Sequence, residues 1–486
     1  MKTEHTNLLF IYTDEQAPDT LAAYGNGMIQ MPNLNRLAKR STVFEQAYVS
    51  QPVCTPSRST LLTGLWPHQS GVTENNIPLD REIPCLPEML DTDDCATAHY
   101  GKWHLGDEIF AQHGFEEWRG IDDGYANYYS ETEKREEVSD YHRWLVDRGL
   151  TPSNGKRFSR SEASRFPEHL GKPAYLANEA CDFLRRNREN PFILYVNFLE
   201  PHMPYFGPRD GQHDPEQIPL PANFHNLPGE DQPLKLRVFR EAYLQKGHSG
   251  YPLKTESDWR EMIARYWGLC SLVDTHVGRI LSTLEELGLD ENTIVVFTSD
   301  HGDMMGSHQL LAKCVMYEEA VRVPWIVRLP GQTKGRRVSG PVSQIDMVPT
   351  LLELLGADVP ERLPGQSRAA WLHEDGPTRL EEDVFIEWNG GNTGVVGDTI
   401  ERFVVPESLW GEVTREELKD SITDPIRSIV TVDGWKFNRS VRGDHELFNL
   451  NEDPGETRNL AFDPAHKERI RELSARIDAW EAEITT

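Results

Sequence analysis

The chain has 486 residues and a formal charge of −28 at pH 7, with 38% hydrophobic and 26% charged residues. That length exceeds one small core and fits two domains, one of them large. The charge excludes the basic footprint of a general nucleic-acid binder, and no run is long enough to span a membrane; an anionic substrate has to be met by local positive charge.

The first residues lead straight into the apolar run Leu8–Tyr12. The run is shorter than a signal h-region and acidic residues follow at once, so the sequence as written reads as cytoplasmic, or as periplasmic or secreted if an export signal has been trimmed. Leu8–Tyr12 itself reads as a buried strand with a polar exit, Thr13-Asp14-Glu15-Gln16. Next comes Cys54-Thr55-Pro56-Ser57-Arg58, running into Ser59–Gly64. A short helix is expected here, capped by Thr55, opened by Pro56 and ended by Gly64. The Cys54 thiol then sits at the positive end and Arg58 comes round one turn later. A reactive group, a helix N-terminus and a bidentate cation suit an oxyanion such as sulfate or phosphate.

Three further apolar runs repeat the pattern of the first. Ala96–Tyr100 exits into Gly101-Lys102-Trp103-His104, Phe192–Phe198 into Glu200-Pro201-His202-Met203-Pro204, and Thr293–Thr298 into Ser299-Asp300-His301-Gly302. Helical periodicity is clearest over Met262–Leu287, closed by Gly288. Helices between buried strands predict an α/β fold, a parallel sheet covered on both faces. The carboxyl ends of its strands share one edge, where ligands bind, so the four polar clusters are expected to converge. Val323–Val327 continues the strand pattern and Val348–Leu355 the helical one. After about residue 375 the pieces become short (Val384–Glu387, Ser428–Thr431, Trp435–Phe437), and an amphipathic helix over Pro464–Ile484 ends the chain. The expected division is a catalytic α/β domain over 1–375 and a smaller α+β domain with an antiparallel sheet over 376–486.

The six cysteines, at 54, 85, 95, 181, 270 and 314, form no Cys-x-x-Cys pair, which argues against a zinc site or a disulfide scaffold. Asp14, Glu15 and Asp300 are carboxylates at strand ends on one edge. Crowded carboxylates need a cation, and oxygen ligands suit calcium or magnesium. His301 can ligate the cation or hydrogen-bond an oxyanion. Lys102, His104, His202 and Lys313 supply positive charge and proton donors. Lys102 and His104, two apart, would point the same way on an extended loop, and His202 lies between two prolines. Trp66, His68, Trp103 and Trp388 are pocket candidates, although aromatic residues are more often core.

Cys54-x-Pro-Ser-Arg58 with its Leu-Thr-Gly continuation resembles the signature of the formylglycine-dependent sulfatases of the alkaline phosphatase superfamily. Asp14-Glu-Gln16, Gly101-Lys-Trp-His-Leu-Gly106, Pro201-His-x-Pro204, Ser299-Asp-His-Gly302, Lys313 and the segment Asp444–Leu460 follow in the family's order. The resemblance implies a large mixed, mostly parallel sheet sandwiched by helices. It implies that a maturation enzyme oxidises Cys54 to formylglycine, and that Asp14, Glu15, Asp300, His301 and the modified Cys54 surround Ca2+, with Mg2+ or Mn2+ as alternatives. Arg58 would hold the aldehyde hydrate, and Lys102, His202 and Lys313 the sulfate. His104 would support the hydrate and help break down the intermediate, and His202 or Lys313 would protonate the leaving alcohol. One hydroxyl of the hydrate attacks sulfur and expels the alcohol; loss of the proton on the other ejects sulfate and restores the aldehyde. Glu15 stands where the family often has Asp, and His301 where many members have Asn. The expected activity is hydrolysis of a sulfate ester, a small molecule or oligosaccharide and foremost a sulfated carbohydrate. The alternatives are a phosphonate monoester or phosphodiester hydrolase with the same nucleophile, and a non-catalytic binder of sulfated glycans that keeps Cys54 as a thiol.

Overall fold

In the computed structural model, which describes residues 6–90, 94–391 and 405–484, the strand-forming runs of the first three quarters of the chain assemble into one eight-stranded sheet. They are β1 (Asn7–Asp14), β2 (Thr42–Tyr48), β3 (Ala96–Gly101), β4 (Glu117–Gly120), β5 (Phe192–Pro201), β6 (Thr293–Ser299), β7 (Arg322–Arg328) and β8 (Arg336–Ser343). Their order across the sheet is β4-β3-β5-β1-β6-β7-β2-β8. All pairings are parallel except the two made by β7, which runs against its neighbours β6 and β2. The sheet is therefore mixed and mostly parallel, and β1, β2, β3, β5 and β6 all end on one edge.

Strand β1 shows why the sheet is covered on both sides. All eight of its residues are buried. Leu9 and Ile11 enter one apolar layer with Leu176, Leu184, Val273 and Val277 of the helices Lys172–Arg186 and Glu256–Glu286. Leu8, Phe10 and Tyr12 enter the other with Leu61, Leu62, Val348 and Leu352 of the helices Cys54–Thr63 and Met347–Leu354. Side chains alternate along a strand, so an unbroken apolar run feeds two cores at once. Each large side chain buried this way stabilises the fold by roughly 1.5–3 kcal/mol.

The helix expected over Met262–Leu287 begins six residues earlier. The Thr255 side chain accepts from the Asp258 amide at 3.2 Å and the Asp258 carboxylate from the Thr255 amide at 2.8 Å, a reciprocal cap, and Trp259 is already buried. Among the described residues no helix is long and apolar enough to cross a membrane.

The C-terminal pieces form a second sheet, β9 (Val384–Trp388), β10 (Ile426–Val430), β11 (Trp435–Ser440) and β12 (Glu446–Asn449), antiparallel in the order β12-β11-β10-β9. The helix Lys467–Ile484 covers it with Leu473, Ile477 and Trp480 packed on Ile429, Phe437 and Leu447. The sheet reaches the strand-end edge of the first one, where the Glu387 amide donates to the Ser50 carbonyl at 2.7 Å.

Candidate active site

Cys54 begins its helix rather than preceding it. Val53 is the last extended residue, and Thr55 lies inside the first turn without capping it. Thr55 instead exchanges hydrogen bonds with the next loop: its amide donates to Asn75 Oδ1 at 3.0 Å and its hydroxyl accepts from the Asn76 amide at 3.2 Å. Gly64 ends the helix as expected, with φ 70°; a Cβ there would lie 2.9 Å from Val348 Cβ. Every residue of the helix is buried, so Cys54 and Arg58 are held by packing on all sides.

Arg58 is enclosed by acceptors. Its Nη2 donates to Asp14 Oδ2 at 2.8 Å, its Nε to Asp300 Oδ2 at 2.9 Å, and its Nη1 to Asn197 Oδ1 at 2.9 Å and the Lys102 carbonyl at 2.7 Å. One guanidinium thus joins the ends of β1, β3, β5 and β6. Lys102 Nζ sits 2.5 Å from Asp14 Oδ2. Burial works to raise Asp14, but Lys102, His202 and Arg58 outweigh it and hold the carboxyl well below its ordinary value.

With Oδ2 occupied, Asp14 turns Oδ1 toward Cys54 Sγ, 3.7 Å away. His301 Nε2 lies 3.2 Å from the same sulfur, 3.8 Å from Asp14 Oδ1 and 3.6 Å from Asp300 Oδ1. His301 Nδ1 faces the Gly302 carbonyl at 2.9 Å; a carbonyl only accepts, so Nδ1 carries a proton and Nε2 is the atom free to ligate. Burial would lower His301, yet Asp300 and Cys54 push it up to about 9. Glu15 completes the group. Its left-handed backbone, φ 70°, lets its amide donate to Asp300 Oδ1 at 3.0 Å and its carbonyl accept from Tyr266 at 2.8 Å. Its Oε1 lies 3.0 Å from Lys313 Nζ and its Oε2 3.6 Å from His202 Nε2, and neither oxygen accepts a hydrogen bond of normal geometry. Burial pushes Glu15 up to about 8 against the pull of Lys313.

These features fit a divalent cation. Ligand atoms of Asp14, Cys54, Asp300 and His301 lie within 4.8 Å of one another, and those of Asp14, Glu15 and His202 form a second, overlapping group. A buried carboxylate met by Lys313 and His202 only outside normal hydrogen-bond geometry, and a histidine that takes up a proton beside Asp300 and Cys54, are what such a donor set becomes without its cation.

The flanking groups depart from the expected picture in one respect. His104 has φ 63°, so the segment from Lys102 is not extended. Lys102 points to Asp14, whereas His104 Nε2 meets Asn76 Oδ1 at 2.9 Å and its ring lies 4.2 Å from Tyr125. Glu108 forces the turn by accepting from the Trp103 amide at 2.8 Å and the His104 amide at 2.6 Å. His202 Nδ1 donates to the Met203 carbonyl at 2.7 Å, leaving Nε2 toward Glu15. Burial, then Lys313, holds His202 well below its ordinary value, while burial and Lys102 do the same to His104.

Sequence reasoning passed over the residues that carry these groups. Asn197 interrupts an apolar strand, and that interruption is the one signal that could have found it. Ser57 Oγ bonds the Asp300 carbonyl and Gln344. Asp303 organises the loop of Lys313: it accepts from the amides of Met305 at 2.8 Å and Ala312 at 2.9 Å, and from the Tyr205 hydroxyl at 2.5 Å, which ties that loop to the one bearing His202. The four pocket candidates lie elsewhere. Trp103 is core, packed on His99, Phe115 and Trp118; Trp66 packs on Trp480; Trp388 is buried under Lys235; and His68 pairs with Glu387.

A mixed sheet that gathers carboxylates, a histidine and a cysteine at its strand ends, ringed by lysines, is the arrangement of the alkaline phosphatase superfamily. The chain belongs to the sulfatase family, whose pattern it matches over residues 6–357. It is 30% identical over 474 residues to the uncharacterized sulfatase YidJ of Escherichia coli, covering 94% of this chain and 83% of that one. It is 27% identical over 433 residues to an N-acetylglucosamine-6-O-sulfatase of Bacteroides thetaiotaomicron, covering 78% and 72%. Its fold is similar to that of the phosphonate monoester hydrolase of Agrobacterium radiobacter, with a TM-score of 0.77 at 22% identity, over 99% of this chain and 96% of that one.

Proposed function

We propose that this sulfatase-family chain hydrolyses sulfate esters of carbohydrates with a formylglycine nucleophile made from Cys54 by a separate maturation enzyme. The observation that carries the reading is the convergence on residue 54 of Asp14, His301 and the lysines. Burial and Asp14 raise the Cys54 thiol, yet Lys102, Lys313 and His301 together bring it below its ordinary value, so a negative charge at this point is favoured. The sulfur stands where an oxygen of the hydrated aldehyde would be. Formylglycine, once hydrated, offers two hydroxyls on one carbon, one to attack sulfur and one whose deprotonation releases sulfate. A divalent cation held by Asp14, Glu15, Asp300, His301 and residue 54 would add Lewis-acid stabilisation of the attacking oxygen.

The chain's own side chains divide the remaining work. Arg58 is saturated by Asp14, Asp300, Asn197 and the Lys102 carbonyl, so it fixes the ligands rather than gripping substrate. Lys102 and Lys313 supply the positive charge that a sulfate group needs in a chain of net charge −28. Burial would strip Lys313 of its proton, but Cys54 and Glu15 hold its pKa well above the ordinary value. Neutral His202 has spent its only proton on Met203. Lys313 is therefore the proton source for the leaving alcohol. His104, held by Asn76 through Nε2, keeps the role that the family resemblance gives it, action on the intermediate. The sugar class follows from the named activity of the relative above.

The test joins two measurements. Mass spectrometry of the tryptic peptide Ser41–Arg58 from protein co-expressed with a maturation enzyme should show thiol-to-aldehyde conversion at residue 54. The same preparation should then give higher kcat/KM on a carbohydrate sulfate than on a matched phosphate diester or phosphonate, and Lys313→Ala should lose most on alcohols that leave poorly. A preference for the phosphorus ester would make the chain a phosphonate or phosphodiester hydrolase. Binding without turnover in aldehyde-bearing protein would make it a glycan binder.

A further inference from the structure

A second set of ligand atoms lies behind the loop of Lys102 and His104, and no step of the reaction uses it. Cys85 precedes the single helical turn Leu86–Met89, and its thiol is fully buried. Glu88, on that turn, curls back so that Oε2 accepts from the Cys85 amide at 2.9 Å. His113 arrives from the next turn with its Nδ1 3.4 Å from the same oxygen. Ligand atoms of the three residues lie within 4.8 Å of one another.

His113 points to a ligand. Its exposure is 4%, and its ring meets Glu88 and the Ile83 backbone without a hydrogen bond of normal geometry at either nitrogen. Leaving a buried polar group unsatisfied costs about 1–3 kcal/mol. The backbone nevertheless goes out of its way to bring it here. His113 has φ 51° and Gly114 φ 75°, and a Cβ on Gly114 would lie 2.8 Å from Glu88 Cγ. The turn presses on Glu88 so closely that only glycine fits.

We propose that Cys85, Glu88 and His113 bind a second divalent metal ion of the zinc type, distinct from the cation at the strand ends. A thiolate, an imidazole and a carboxylate form a borderline-soft set that favours zinc and its neighbours. Calcium, which takes six to eight oxygen ligands, is disfavoured. Glu88 Oε2, the oxygen that faces His113, accepts from the Cys85 amide with one lone pair and keeps the other for the ion, and the side chain is one-third exposed, so a water completes four-fold coordination from the solvent side. On binding, the Cys85 thiol gives its proton to solvent; nothing is oxidised or reduced. The ion staples two turns that are 25 residues apart. Trp103, next to Lys102, packs on His113 with ring centres 5.8 Å apart, so the staple backs the wall that carries Lys102. The spacing Cys85-x-x-Glu88 escapes a search for paired cysteines.

The test uses the full chain carrying Cys54→Ala, so that the thiol beside Asp14 contributes nothing. After chelator treatment it is titrated with Co2+ alone. One equivalent should raise a near-ultraviolet thiolate-to-cobalt band that excess Zn2+ abolishes and excess Ca2+ leaves, and Zn2+ should raise the unfolding temperature. Adding Cys85→Ser should remove the band and the stabilisation. Glu88→Gln, which keeps an acceptor for the Cys85 amide and so preserves the turn, should weaken Zn2+ binding by at least about tenfold, the low end of what losing even an outer partner of a metal ligand costs. If Cys85→Ser fails to fold by circular dichroism, Glu88→Gln decides. No band, a band that survives Cys85→Ser, or unchanged affinity in Glu88→Gln overturns the proposal.

Discussion

A cluster of charges at the junction of the two sheets and the cluster at the strand ends are both largely buried, and they differ in what the charges face. At the junction of the two sheets Lys436 Nζ lies 2.8 Å from Glu456 Oε1 and 3.0 Å from Glu318 Oε1. The Tyr48 hydroxyl donates to Glu318 Oε2 at 3.0 Å and the Glu318 amide to Glu456 Oε2 at 2.6 Å. At the strand ends Glu15 meets Lys313 in a similar pair. Burial pushes Glu456 and Glu15 alike up to about 8, each against a lysine. The shared value has two meanings. At the junction the cation sits between two carboxylates with no further metal-ligating side chain grouped beside them among the described residues. At the strand ends lysines hold one side of Asp14 and Glu15, and ligand atoms of Asp14, Cys54, Asp300 and His301 gather within 4.8 Å of one another beside them. Grouped ligand atoms, and not burial or perturbed titration alone, separate a working centre from a structural clasp.

The largest expected effect on turnover tests the strand ends. Cys54→Ala should lower kcat/KM by more than about 10^4-fold, the scale on which nucleophile removal acts, with thermal unfolding left where it was. Retained turnover would remove residue 54 as nucleophile.

Chelation gives the next effect, and its pH dependence separates the two regions. Without a cation, Glu15 and His301 hold protons in the folded state that the unfolded chain releases above their ordinary values of 4.5 and 6.5. At these two groups the folded state binds more protons, so their contribution to stability should fall as pH rises from about 5 to about 9, opposed below about pH 6.5 by His104 and His202, which are lowered on folding. Calcium, by replacing those protons, should flatten this slope and restore turnover. Glu456 adds a fall of the same sign up to about pH 8 that calcium leaves unchanged. Urea unfolding across this range, with and without calcium, reads the difference; a slope indifferent to calcium would take Glu15 and His301 out of the ligand set.

The comparison also explains what the sequence made legible. Buried strands with polar exits are a strong local signal, because an apolar run that stops at Asp14 or Asp300 records both burial and its end. The resemblance then assigned roles to those exits. The antiparallel course of β7 left no local trace, since Val323–Val327 is equally apolar in either direction. Strand β8 contains Gly340 and Pro341, which mask its pattern. Thr55 looked like a cap because its residue type fits one, but Asn75 and Asn76 claim its amide and hydroxyl instead. Asn76, Glu108 and Gln344 are single polar residues whose meaning exists only once distant loops meet. The clasp at the junction is of this kind too: Glu318, Lys436 and Glu456 come from three separate segments.

That clasp gives the smallest expected effect on turnover and the sharpest test of the comparison. Lys436→Met removes the cation and leaves Glu318 and Glu456 facing each other at zero to modest exposure. Breaking a buried pair by removing one partner costs about 3–5 kcal/mol, and the loss should appear in denaturant unfolding. The fraction that stays folded should keep its kcat/KM within about twofold, an energy of about 0.4 kcal/mol, because Lys436 touches none of the groups at the strand ends. A route for coupling exists: Tyr48, which holds Glu318, ends β2 six residues before Cys54. If Lys436→Met lowers kcat/KM strongly while stability holds, strain passes along that route, and the junction cluster is part of how the nucleophile is positioned. If stability falls and kcat/KM holds, the two buried clusters are independent, one fastening the sheets and the other acting on substrate.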